Sequence, residues 1–382
     1  MTGNWLAQAF IPVIPRALTL LSLAASAARA EPDLSVPDYV ARHAPLVWLH
    51  SDDPYKPSDL LTHIRHTTPM LDGKPIADLP ELDLDNLEIL NHYGPHIPLT
   101  SNDDPTTYPS WFYGEAPDAA GRIHNATPSC VILVERSEVD LDAFYFYFYS
   151  YNEGPNITQV LEPFNQLVGG DKVATGMNFG DHIGDWEHNM VRFRDGKPVG
   201  IYYSQHVDGM AYDWDDETVN KTDGRPIVYS ARGSHANYPL PGDQLHNIAM
   251  IDYCDEGQRW DPVLSAYFYR FDPSTFTLTS LIPPNESSPP PPSANLTSFF
   301  YFTGLWGDRQ YPDSDPRQEK IPFFGLRRFQ SGPTGPRAKH LICLKSYRSR
   351  GYRKVQAEDI QLDEWQQDEH DLFSSSDEED TE

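Results

Sequence analysis

One short stretch concentrates polar chemistry: Gly180-Asp181-His182-Ile183-Gly184-Asp185-Trp186-Glu187-His188-Asn189. If the chain is extended from Asp185 onward, Asp185 and Glu187 project from the same face, roughly 6.6 Å apart along the strand. Two carboxylates placed this way repel unless a cation sits between them or one takes a proton. His182 comes off the glycine-flanked loop just before them, within reach of the same point. Carboxylate oxygens with an imidazole suit a divalent cation, Ca2+ or Mg2+ ahead of Mn2+ and Zn2+. The competing reading is structural, with both carboxylates accepting hydrogen bonds from loop amides or pairing with Arg192 or Arg194. Asp181 and His188 are accessory candidates, although on a regular strand His188 faces away from Glu187.

A second polar stretch, Tyr229-Ser230-Ala231-Arg232-Gly233-Ser234-His235-Ala236-Asn237-Tyr238-Pro239, can aim His235 at the same site from a neighbouring strand. Ser234 and His235 are adjacent, so on a strand they face opposite ways and cannot act together as nucleophile and base. His206 precedes the acidic run Asp208 to Glu217 and is a further accessory candidate. That run lacks the ligand order of an EF-hand and reads as a solvated hairpin loop. The sequence has no G-x-S-x-G, P-loop or dinucleotide fingerprint.

The elements that would position these residues are mostly strands. Ala143 to Tyr151 alternates strictly, with Phe144, Phe146 and Phe148 on one face and Tyr145, Tyr147, Tyr149 and Tyr151 on the other. The Phe face is expected in the core and the Tyr face at polar partners or water. Further strands are predicted at Trp186 to Arg194, Pro198 to His206, Pro226 to Ala231, Leu264 to Phe271, Thr275 to Ile282 and Phe299 to Leu305. Asp195-Gly196 reads as the turn of a hairpin. Helix is sparse: Ser58 to His66 with Ser58 as cap, Gln159 to Val168, and a marginal one within Gln356 to Phe373. The predicted fold is mainly β, an antiparallel β-sandwich with few short helices, a proline-rich surface loop at 283–293 and a disordered acidic C-terminal tail. One β-rich domain is expected over 31–348, followed by a basic-then-acidic tail over 349–382.

Charge narrows the partners. The chain carries 29 Lys and Arg against 56 Asp and Glu, a net charge of −27, which counts against nucleic acid. Residues 31 to 319 hold 17 bases and 44 acids, Lys320 to Ala357 ten bases and no acid, and Glu358 to Glu382 twelve acids and no base. The last two segments either screen one another or form two separate interaction surfaces. Residues 17 to 28, behind Arg16 and before Ala28-Arg29-Ala30, read as the apolar part of a signal peptide spanning 1–30, cleaved or retained as a membrane anchor. Sequons at Asn125, Asn156, Asn220, Asn285 and Asn295 fit passage through the secretory pathway to the vacuole or the exterior. Cys130, Cys254 and Cys343 allow at most one internal disulfide, or three buried thiols.

Six ordered segments carry a resemblance: 44 to 69, 144 to 156, 180 to 193, 200 to 206, 229 to 239 and 261 to 269. From about residue 40 to about residue 340 the chain resembles the fungal vacuolar protein sorting-associated protein 62 family. That resemblance implies a part in protein targeting to the vacuole and brings no chemistry with it. H-I-G-D-W-E, from His182 to Glu187, is also similar to the G-H-R-H-D-W-E signature of the necrosis- and ethylene-inducing toxins. The likeness implies a divalent cation held by His182, Asp185 and Glu187. Gly184 stands where that signature has its second His and Asp181 where it has its leading Gly, a departure that keeps the cation and leaves a membrane-damaging activity of the toxin kind as a minor third expectation. Two functions stand ahead of it as expectations: a non-enzymatic protein that binds sorting cargo or a lipid headgroup through a cation, or a metal-dependent hydrolase of the vacuole lumen.

Overall fold

The alternating aromatic run does form a strand, and its thirteen residues are the centre of the molecule. The computed structural model describes residues 33–159, 177–206, 208–247, 250–284, 296–321, 325–339 and 353–355. In chain order the main strands are β1 (Leu46–Leu49), β2 (Ser129–Glu135), β3 (Asp140–Asn152), β4 (His182–Arg194), β5 (Lys197–Gln205), β6 (Asp208–Asp213), β7 (Arg225–Ser230), β8 (Asn237–Tyr238), β9 (Gly242–Asn247), β10 (Met250–Cys254), β11 (Gln258–Trp260), β12 (Ala266–Asp272) and β13 (Thr277–Ser280). The large sheet has the order β13-β12-β2-β3-β4-β5-β6, with Arg353–Val355 added beyond β6. A second sheet is built on β7, β1 and β11, with β8 paired to β7. Pairing is antiparallel throughout these sheets except β12 with β2 and β1 with β7. The β4–β5 hairpin turns on Asp195 and Gly196, both at positive φ as a tight two-residue turn requires.

The two faces of β3 meet different layers. Phe144, Phe146 and Phe148 pack with Trp186, Met190, Trp306 and Leu60, under short helical segments. Tyr145, Tyr147 and Tyr149 pack with Val47, Val228 and Trp260 of the second sheet. The Tyr face is therefore buried between two sheets and does not reach water. Its hydroxyls find protein acceptors instead, Tyr145 on the Val40 carbonyl at 2.8 Å and Tyr147 on Asn189 Oδ1 at 2.9 Å. A buried phenol needs such a partner because an unmet hydroxyl loses its water bond without replacement.

Two local expectations are corrected. The helix near residue 60 is α2 (Leu60–Arg65), following α1 (Asp38–Arg42), and its cap is Asp59 rather than Ser58. Asp59 Oδ1 accepts from Thr62 N at 2.7 Å, whereas the Ser58 hydroxyl turns inward and accepts from Ser150 N on β3. Phe299 to Leu305 is no strand: α3 (Ser298–Tyr301) takes its start, because four consecutive bulky side chains bury against the Phe layer on a helical turn. All but Gln159 of the predicted helix at 159–168, the predicted helix at 356–373, most of the proline-rich loop and nearly all of the tail lie outside the described residues, as does Cys343. Cys130 and Cys254 are buried free thiols. Among the described residues no helix is long and apolar enough to cross a membrane.

Candidate functional site

The β3–β4 register decides which side chains share a layer. Tyr149 lies opposite Asp185 and Tyr147 opposite Glu187, so both carboxylates enter the Tyr layer between the sheets. Trp186 and His188 fall on the other face, where the His188 ring stacks on Phe146 at 5.0 Å. His188 is thus separated from the carboxylates by the sheet itself, as strand alternation predicts. Arg192 and Arg194 do not pair with the site. They bind Asp142 and Asp140 at the far end of β4.

Asp185 and Glu187 are only 5% and 4% exposed. Asp185 Oδ2 lies 2.8 Å from His235 Nδ1, and Glu187 accepts the hydroxyl of Ser204 on β5. Burial, reinforced by the negative charge of Asp185, pushes Glu187 up to about 8. The pair is short of positive charge, which is the electrostatic condition a cation would relieve. Lys339 and His206 act in the opposite sense on Glu187 without overcoming burial.

His235 reaches the site from a left-handed backbone position, φ 55°, after Gly233. Its ring stacks on Tyr149 with centroids 3.7 Å apart. Its Nε2 is buried, has no hydrogen-bond partner and stands 3.6 Å from Asp53 Oδ2. Asp53 is otherwise occupied by the amides of Tyr55 and Gly233. His182 donates from Nδ1 to the Gly184 carbonyl at 2.7 Å, which leaves Nε2 as its lone-pair donor. Burial lowers the His182 pKa against the pull of Asp185, and Lys339 and His235 lower it further.

The remaining candidates form two adjoining clusters. Asp181 is buried in an aromatic pocket, accepting from the Tyr151 hydroxyl and the Gly154 amide at 2.9 Å each, and burial raises it to about 7. His206 lies 2.8 Å from Asp252, which also accepts the hydroxyls of Ser234 and Tyr238. Ser234 and His235 are therefore engaged by different carboxylates and make no nucleophile–base pair. Of the sequons, Asn125 and Asn220 are exposed and Asn156 is bonded to Asn178, while Asn285 and Asn295 lie outside the described residues. An open cleft of about 520 Å3 runs along β12, lined by Tyr267, Phe268 and Leu281, and none of these site residues lines it.

Nothing in the spacing of the sequence singles out Asp53, Ser204, Asp252 or Lys339. They reach the site through strand pairing or loop closure across long separations. The donor types fit a hard divalent cation: the carboxylates of Asp185 and Glu187 with Nε2 of His182. Among the described residues, however, no three His, Cys, Asp or Glu side chains stand close enough together to hold an ion as they are. Loading would require the Asp185–His235 or Glu187–Ser204 contact to open. Gly184 explains the break with the toxin signature, because a Cβ there would lie 2.2 Å from the Trp306 carbonyl oxygen at φ +71°. No second histidine can occupy that position.

Fold and site together define a β-sandwich protein with a buried acidic site between its sheets. Residues 161–262 match the family described as vacuolar protein sorting-associated protein 62. The chain is 33% identical over 342 residues to the putative vacuolar protein sorting-associated protein TDA6 of Saccharomyces cerevisiae, covering 80% of this chain and 67% of that one. It is 30% identical over 337 residues to vacuolar protein sorting-associated protein 62 of the same yeast, covering 80% and 66%. The chain belongs to the vacuolar protein sorting-associated protein 62 family, and it spans about two thirds of the length of these relatives. Among solved structures, necrosis and ethylene inducing protein 2 from the agent of cocoa's witches' broom disease is 13% identical, with 56% of this chain and 74% of that chain covered and a TM-score of 0.26. The non-toxic HaNLP3 protein is 12% identical, with 64% and 79% covered and the same TM-score. Likeness this distant carries no argument about fold or chemistry.

Proposed function

We propose that this protein acts in protein targeting to the vacuole as a binding protein, and that its inter-sheet acidic site takes a divalent cation of the Ca2+ or Mg2+ class. The relatives' names support the sorting role. The observation that carries the cation is the pair Asp185 and Glu187, buried on one face of β4 with Glu187 raised to about 8 by burial and by its neighbour. Asp185, Glu187 and His182 would hold the ion, with His235 as a fourth donor once released from Asp185. The bound charge would then recruit sorting cargo or a lipid headgroup bearing oxygen anions. Binding is preferred to metal-dependent hydrolysis because His188 faces the opposite layer and His235, only 1% exposed, lies where no substrate would reach it as a general base. The leader and the exposed sequons support passage through the secretory pathway.

The test is thermal unfolding with and without Ca2+ or Mg2+, alongside elemental analysis of purified protein. Saturating cation at about a hundredfold over its Kd should stabilise the wild type by about 2.7 kcal/mol. Asp185→Asn and Glu187→Gln should abolish that response. A wild type that holds no divalent ion and does not respond to either cation refutes the site and leaves the carboxylates structural.

A further inference from the structure

The strand that follows the His235 loop is β8, and its first residue, Asn237, is only 1% exposed. Backbone pairing with Ser230, and the bond from Gln205 Nε2 to the Asn237 carbonyl at 3.1 Å, fix where the residue stands. Its side-chain Nδ2 lies 3.4 Å from the His188 carbonyl of β4 and 3.3 Å from the Ser204 hydroxyl of β5. A backbone carbonyl can only accept, so the amide nitrogen faces these strands and the amide is not reversed. The same Ser204 hydroxyl donates to Glu187. Asn237 therefore borders the acidic site through one shared hydroxyl. Its other side-chain atom, Oδ1, is buried and accepts from no group among the described residues. A dry, unbonded amide oxygen is costly, because folding has removed its water and put nothing in its place. What Oδ1 lacks is a positive partner, and Glu187 lacks the same thing.

We propose that Asn237 Oδ1 is a ligand of the cation at the inter-sheet site and that it selects Ca2+ over Mg2+. This assignment rests on the cation reading above and adds to it one residue and a choice of ion. Among the described residues, His, Cys, Asp and Glu side chains do not by themselves close a site here, so neutral oxygens complete it. Ca2+ gathers about six to eight oxygens in flexible geometry and takes amide carbonyls, whereas Mg2+ keeps several waters beside one or two carboxylates. An uncharged oxygen held in place by strand pairing enlarges the Ca2+ shell without adding to the repulsion between Asp185 and Glu187. Its loss should therefore weaken Ca2+ far more than Mg2+.

Calorimetric titration of the full chain with CaCl2 and with MgCl2 tests this in the wild type, Asn237→Ala and Asn237→Asp, with circular dichroism showing that each is folded. Asn237→Ala should lose at least about tenfold in Ca2+ affinity and less than about threefold in Mg2+ affinity. Asn237→Asp keeps an oxygen at the same place and should bind Ca2+ at least as tightly as the wild type. Tb3+, which matches Ca2+ in size and in preference for oxygen, reads the ligand shell itself. Its luminescence lifetimes in H2O and D2O should show an added coordinated water in Asn237→Ala and none in Asn237→Asp. An asparagine that only ties β8 to β4 and β5 gives a different pattern, since both variants remove the Nδ2 bonds and should then weaken both ions alike. Ca2+ affinity that is unchanged in Asn237→Ala, or that falls equally in the two variants, overturns the assignment and leaves the cation reading standing. A wild type that binds neither ion refutes the cation reading, and this assignment with it.

Discussion

Glu187 is the residue whose environment makes the sharpest demand. Its pKa is raised from 4.5 to about 8, chiefly by burial and then by Asp185. In the unfolded chain it ionises near its ordinary value, while in the folded protein it keeps its proton. Stability linked to this group is therefore fully present below about pH 4.5 and is lost as pH rises through about 8. Glu187→Gln removes that slope, so denaturant titrations at pH 5 and pH 8.5 should show the wild type losing more than the variant, by on the order of 1 kcal/mol or more. A cation at the site should stabilise the wild type more at pH 8.5 than at pH 5, because only the ionised carboxylate is a ligand. Gly184 makes the complementary point two positions before Trp186. Its left-handed backbone and the Trp306 carbonyl leave no room for a side chain, and Gly184→Ala should cost at least about 2 kcal/mol in the same measurement.

Among the elements, β4 carries structure at one end and the site at the other. Asp142 on β3, fully buried, is clamped by Arg136 at 2.8 Å and Arg192 at 2.7 Å. Removing it with Asp142→Ala takes a buried carboxylate from between two guanidinium groups and should cost about 3–5 kcal/mol in chemical denaturation, with the proposed cation response intact. Among the described residues the β9–β10 hairpin forms a two-stranded sheet of its own, and Asp252 is its charged tie to the body beside the Tyr253 carbonyl, which accepts from Arg232 N, and the packed Cys254 side chain. Burial alone would raise Asp252, but His206, Ser234 and Tyr238 hold it down to about 2 from 3.8. His206 is raised above 6.5 because Asp252, with Glu187 and Asp185, outweighs its burial. The Asp252 contribution is lost as pH falls through about 2, and that of His206 as pH rises through its elevated folded value. The anchor is therefore complete between about 3.8 and 6.5. Limited proteolysis should nick the hairpin faster at pH 9 than at pH 6, and Asp252→Asn should be nicked rapidly at both. Equal nicking of all four samples would mean that this anchor does not hold the hairpin.

At the scale of the molecule the excess charge sits in the body. The acids of the strand-bearing region outnumber its bases, while the basic and acidic segments after it nearly cancel. Such a body repels itself, and screening should relieve it. Raising NaCl from near zero to about 0.15 M, where the Debye length is about 8 Å, should raise Tm, and the proposed cation site should add a further increment for Ca2+ or Mg2+ at constant ionic strength. A Tm that falls with NaCl would show that attractive ion pairs such as Asp142 with its arginines outweigh the net repulsion.

Sequence by itself determined the layers of this protein, because side-chain alternation is a local property. The Phe and Tyr faces of β3, the Asp195-Gly196 turn, the shared face of Asp185 and Glu187 and the opposed direction of His188 are all written within a dozen residues. Their partners are not. Whether the Tyr face meets water or a second sheet depends on β1, β7 and β11, which come from distant parts of the chain. Asp53 reaches His235, and Ser204 reaches Glu187, only after those sheets close. The aromatic run at residue 299 illustrates the limit, since a short apolar stretch fits strand or helix and only the shape of the Phe layer selects the helical turn. Likewise the charges of the two ends could be counted in advance, but the pairing of Arg353–Val355 with β6 is a tertiary event. Long-range pairing brings together groups that composition can only enumerate.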